Sequence, residues 1–147
     1  MLINTLLTLF NRDLNRLRNE ISAYQHEANI WKISKNITNP AGNLCLHLLG
    51  NLNAYIGAQL GSSNYVRQRD LEFSLKDIPR AELIRQIDDT IIMIEKCLKG
   101  LTEGDLNKEY PILVFDEKTS TAYLLVHLTA HLGYHLGQIN YHRRLLD

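Results

Sequence analysis

From Thr119 to His142 the chain contains no aspartate, glutamate, lysine or arginine, yet it holds His127, His131, His135 and His142. A helix so free of charge is expected to bury most of its circumference, either in a protein core or in a lipid bilayer. A membrane span is set aside because four histidines, Gln138 and Asn140 would make insertion costly, and no second apolar span exists to shelter them. At about 100° per residue, His127, His131, His135, Gln138 and His142 fall within one arc of about 80°, a single polar stripe on a core helix. Leu125, Leu128, Leu132, Leu136 and Ile139 lie beside it, and Tyr123, Tyr134 and Tyr141 border its other side. Thr129, Gly133 and Gly137 are small enough to admit a neighbouring helix at close range.

Three further helices are expected around it. Leu2, Ile3, Leu6, Leu7, Phe10, Leu14, Leu17, Ile21 and Tyr24 keep helical spacing, with Arg12, Asp13, Arg16 and Arg18 off the stripe. A polar crossing from His26 to Pro40 follows, in which Asn39 is a candidate cap for a second helix over about Ala41 to Leu60. Gly61 to Asn64 break that helix, and the charged stretch Arg67-Gln68-Arg69-Asp70-Leu71-Glu72-Phe73 reads as a connection with two apolar anchors covering one end of a bundle. Asp77 and Pro79 announce a third helix with Leu83, Ile84, Ile87, Ile91, Ile94 and Leu98 on its seam, stopped by Gly100. Pro111 to Phe115 fit a short extended piece before Thr119 or Ser120 caps the fourth helix. The pattern predicts an all-α, antiparallel up-and-down four-helix bundle that occupies residues 1–147 as one domain.

Charge and cysteine content narrow the function. Lys plus Arg and Asp plus Glu balance at 16 each, so nothing drives binding to nucleic acid or to an anionic membrane surface. Cys45 and Cys97 lie in apolar helical stretches without a CxxC partner and read as reduced packing residues of a cytoplasmic protein. The apolar start lacks the basic flank and cleavage site of an export signal. No Ser/His/Asp set, phosphate loop or cysteine nucleophile is recognisable.

The histidine stripe points to a metal. Two histidines four apart on a helix face the same way, and neutral imidazole is a good ligand for Zn²⁺ or Ni²⁺. Histidines eight apart are separated by about 12 Å of rise and cannot share one ion, so a third ligand must come from another helix. His47 is the candidate, because it stands in the apolar second helix at the edge of the face formed by Leu44, Leu48, Leu52, Tyr55 and Ile56, with Asn51 one turn on. A three-histidine set without a carboxylate would leave an open position for water, a thiolate or another anion.

The segment His131-Leu132-Gly133-Tyr134-His135-Leu136-Gly137-Gln138-Ile139, with Asn43 to Asn51 (NLCLHLLGN) upstream, resembles the DinB-like superfamily of metal-binding four-helix bundles. It is most similar to a branch of uncharacterised bacterial proteins that also carry a charged loop like RQRDLEF. The resemblance implies a metal site made by His47, His131 and His135, with Gln138 orienting or lining it and His127 and His142 as neighbours. It also implies an activity of the thiol-dependent transferase type, in which a low-molecular-weight thiol attacks a small-molecule electrophile. Arg67 and Arg69 would then bind a carboxylate of the substrate or cofactor, and Asp70 or Glu72 would move a proton. The competing expectations are a metal-dependent hydrolase, a metal-binding stress-related protein without turnover, and a structural protein whose histidines bond to one another and to Asn51 and Gln138. The apolar and small surface of the fourth helix fits a homodimer, as it also fits a monomer that buries it.

Overall fold

The apolar stripe of the first segment winds into α1 (Leu2–Ala23), which buries Leu6, Phe10, Leu14, Leu17 and Ile21 and leaves Arg12 and Arg16 outside. The computed structural model describes residues 1–147 and is all-helical, with two isolated β-bridges and no strand. The second long helix is α2 (Ala41–Leu52), which continues through a π-helical turn (Asn53–Ala58) into the short α3 (Gln59–Gly61). A brief α4 (Arg69–Ser74) precedes α5 (Arg80–Lys99), and α6 (Glu103–Leu106) precedes α7 (Thr121–Leu146). α1, α2, α5 and α7 form a bundle closed on a core that includes Leu14, Leu48, Leu83, Ile87, Leu124 and Leu132.

Several boundaries follow from single residues. Ser120 Oγ accepts the Tyr123 N–H at 3.1 Å and so caps α7. Pro79 opens α5 and Gly100 closes it, as the sequence signals predict. Asn39 does not cap α2; Pro40 takes that place, and no side chain caps the helix. Pro111 to Phe115 form no strand, because the only pairing nearby is the single bridge between Glu109 and Ser120.

The direction of the helices departs from simple alternation. Asn53 bonds Thr90, Gly57 lies against Met93, and Gly61 lies against Cys97, so α2 and α5 run parallel. Asn140 and Arg143 reach Glu20, and Asp147 accepts from the Gln25 and His26 N–H groups, so α1 and α7 also run parallel. The order is therefore up, down, down, up, and the expected antiparallel up-and-down arrangement is corrected. The cause is the connection from Ser62 to Pro79, which is long enough to return along the bundle before α5 begins.

α7 is also less buried than its lack of charge suggests. Tyr123, Val126, Tyr134 and Tyr141 are exposed, and a Cβ added at Gly133 or Gly137 would meet nothing within 4 Å, so no helix packs on that side. α2 is the helix buried all round: every residue from Ala41 to Leu52 is buried, between α5, α7, α4 and the 3₁₀ turn Glu27–Trp31. No helix is long and apolar enough to cross a membrane.

Candidate metal centre

His47 on α2 faces His131 and His135 on α7, and one ring nitrogen from each lies within 4.8 Å of the others. The Nε2 atoms of His47 and His131 are 3.2 Å apart. The HxxxH spacing puts two imidazoles on adjacent turns of α7, and antiparallel packing of α2 on α7 brings the third across.

The far nitrogens of two rings are fixed. His135 Nδ1 is 2.7 Å from Gln138 Oε1, one turn further along α7. His47 Nδ1 is 3.0 Å from Glu72 Oε1, and Glu72 is held in turn by Arg67 through Nε and Nη2, each at 2.9 Å. A carboxylate only accepts, so His47 Nδ1 carries the proton and its Nε2 lone pair points at the cluster. The contact of Arg67 Nη2 with the same Nδ1, at 3.4 Å, is then a close approach between two donors and no hydrogen bond. Glu72 is 6 % exposed. Burial pushes its carboxyl up, but hydrogen bonds from His47 and Arg67 outweigh that and hold it below the usual carboxylate range.

Gly50 makes room for this carboxylate. A Cβ there would stand 1.9 Å from Glu72 Oε2, so glycine is what lets α4 press its acidic side chain against α2. Of the two expected anchors of the charged segment, Phe73 is half-buried with its ring 5.0 Å from that of His47, whereas Leu71 is exposed and Glu72 goes inside instead.

The donor set fits a divalent transition metal. A tetrahedral ion with nitrogen ligands at about 2.0 Å holds those nitrogens about 3.3 Å apart, close to the separation of His47 and His131. His135 lies further out and must close in, which its half-buried ring allows. His131 faces the cluster through Nε2, and its buried Nδ1, on the other side of the ring, has no partner. Burial, reinforced by His135, His47 and His127, pushes the His131 imidazole down to about 4, and burial also lowers His135. Both rings are therefore neutral near pH 7, the form that binds a metal.

The other residues of the stripe separate. His127 stacks 6.3 Å from His131 and meets Phe115 edge-on, outside the cluster. His142 is a structural residue: its Nδ1 is 2.6 Å from Tyr24 Oη and its Nε2 donates to the Lys32 carbonyl at 2.8 Å, which ties α7 to α1 and the crossing. Asn51 is buried with an unpartnered Oδ1, one turn beyond His47. Arg67 is committed to Glu72, Arg69 lies over the Phe73 ring at 5.2 Å, and Asp70 is exposed. Arg67 is thus already engaged by a carboxylate of the protein itself, whereas Arg69 is exposed and pairs with none. Cys45 and Cys97 are free thiols away from the cluster, and burial pushes Cys45 up to about 12.

None of the curated proteins matches the chain. A solved structure, the crystal structure of a conserved protein from Enterococcus faecalis, is similar with a TM-score of 0.77 at 13 % identity, over 97 % of this chain and 95 % of that one. Such low identity speaks for the shared helical fold alone. Residues 4–147 match the family described as "Protein of unknown function (DUF1572)", and the chain belongs to that family.

Proposed function

We propose that His47, His131 and His135 bind one divalent ion, Zn²⁺ or Ni²⁺, in a DinB-like bundle that acts as a metal-dependent transferase of low-molecular-weight thiols. The observation that carries it is the convergence of three imidazoles, two of which, His47 and His135, have their outer nitrogens oriented by Glu72 and Gln138. When bound, the ion would supply a Lewis acid that lowers the pKa of a thiol, or of water in a hydrolytic variant of the reaction. His47 and His135 stay oriented during turnover because their Nδ1–H groups are engaged. The Glu72–Arg67 pair keeps the second carboxylate oxygen occupied, so the acid group orients and does not ligate.

The test is elemental analysis of purified, tag-free protein beside the His47→Ala, His131→Ala and His135→Ala variants. About one equivalent of zinc or nickel, lost in all three, is expected and would lead to assays of thiols with small electrophiles. No binding by wild type after reconstitution would leave a structural helical protein and withdraw the enzymatic role.

A further inference from the structure

The cluster stands at the head of a cavity of about 720 Å³ between the crossing residues 36–39 and the C-terminal half of α7. His135 is shared: it belongs to the three-histidine set and also forms cavity wall, as does Gln138, which orients it. The volume is that of a small-molecule site. A smaller cavity of about 360 Å³ lies on the opposite side of α2, behind Glu72, and touches none of the three histidines.

No aspartate, glutamate, lysine or arginine lines the larger cavity. In the metal-free protein an anion moved from water into it would lose hydration without gaining a paired cation, so phosphates and carboxylates are disfavoured there. Besides the histidines and tyrosines, its polar groups are the amides of Asn36, Asn39 and Gln138 and the hydroxyl of Thr38, all neutral. Buried Leu44 and half-buried Ile37 supply an apolar floor, and Leu145, 71 % exposed, belongs to the rim. Tyr134 and Tyr141 are on the rim, 66 % and 63 % exposed, and offer two aromatic faces to a planar guest. The far end is fixed, because His142 is held by Tyr24 and Lys32.

We propose that this cavity binds a neutral aromatic small molecule bearing an amide or hydroxyl group and seats it against the His135 ring. As a substrate class for the metal-dependent reaction this rests on the function proposed above, but binding itself does not require the ion. The two are therefore tested apart.

The experiment titrates metal-free, ¹⁵N-labelled protein with benzamide and, separately, with benzoate, an anion of the same size. Benzamide is expected to shift the amide signals of Thr38, Tyr134 and Gly137 saturably, and benzoate to bind at least tenfold more weakly. Tyr134→Ala and Tyr141→Ala should each weaken benzamide binding three- to tenfold, whereas Tyr123→Ala, on the same helix but outside the cavity, should not. All three tyrosines are exposed, so these variants keep the fold. Equal binding of the two probes, no saturable shift at these residues, or equal loss in Tyr123→Ala would overturn the proposal. A metal-free protein that binds benzamide as stated while failing to bind zinc would overturn the metal reading alone.

Discussion

Gly50→Ala should damage the metal centre although residue 50 touches no ligand. In an ordinary helix interior alanine is more favourable than glycine by about 0.5–1 kcal/mol, so the substitution would normally stabilise α2. Here the new methyl would lie 1.9 Å from Glu72 Oε2 and 2.6 Å from its Cδ. To restore ordinary contact the carboxylate must retreat by more than about 1 Å. It cannot do so and keep its bonds of 2.9 Å to Arg67 and 3.0 Å to His47. His47 then loses the acceptor that fixes its tautomer, a loss that typically weakens metal binding about 10–100-fold, or about 1.4–2.7 kcal/mol. Competition with a chromophoric chelator measures the zinc affinity, and long-range ¹H–¹⁵N spectra of the histidine rings report the His47 tautomer. Glu72→Ala should lose a similar factor, and the double variant should be little worse than either single one, because both act through one contact. Zinc affinity within threefold of wild type with an unchanged His47 tautomer would refute the reasoning. So would an affinity loss that merely tracks unfolding of the metal-free protein.

Three further outcomes are expected. The metal-free protein should lose stability as pH falls from about 6.5 towards about 4. In that window the unfolded chain takes up protons that folded His131, held down to about 4 by burial and its histidine neighbours, refuses; His135 and His142 shift the same way. Equal urea midpoints at about pH 7 and pH 5 would contradict this. Tyr24→Phe should destabilise the fold by about 1–3 kcal/mol, since it strips His142 Nδ1 of its buried partner, while zinc binding per folded molecule stays unchanged. Leu128→Ala, buried one turn before Leu132, should lower stability by about 2–5 kcal/mol in urea unfolding, and a change under 1 kcal/mol would show that the core packs differently.

Periodicity carried much of this protein. Helical spacing in Leu6 to Ile21, Leu83 to Leu98 and Leu124 to Ile139 marks which faces meet the core, and the cap at Ser120 and the stop at Gly100 are local chemistry. The in-phase stripe on α7 and the lone His47 in α2 indicated a metal site shared by two helices, and the resemblance to DinB-like bundles singled out His131 and His135, the pair that comes together with His47. Spacing could not divide the stripe, however: His142 turns to Tyr24 and His127 to Phe115, and only the neighbouring elements decide which imidazole finds which partner.

The absence of charge on α7 was misleading for a physical reason. Tyrosine, glycine and alanine tolerate solvent without carrying charge, so a charge-free helix can still leave one side open, and that side borders the cavity beside His135. Helix direction was equally hidden, because a bundle seam reads the same up or down and only the returning connection made α2 and α5 parallel. The segment RQRDLEF read as a connection held by its two apolar residues; folding placed Glu72 inside because Arg67 and His47 offset its desolvation and Gly50 left space for it. The sequence by itself determined the helices, their buried faces and the residue types able to bind a metal, all of which depend on neighbours within a turn or two. The tertiary structure decided helix direction, the tautomer of His47 and the burial of Glu72, because each is set by contacts between segments far apart in the chain.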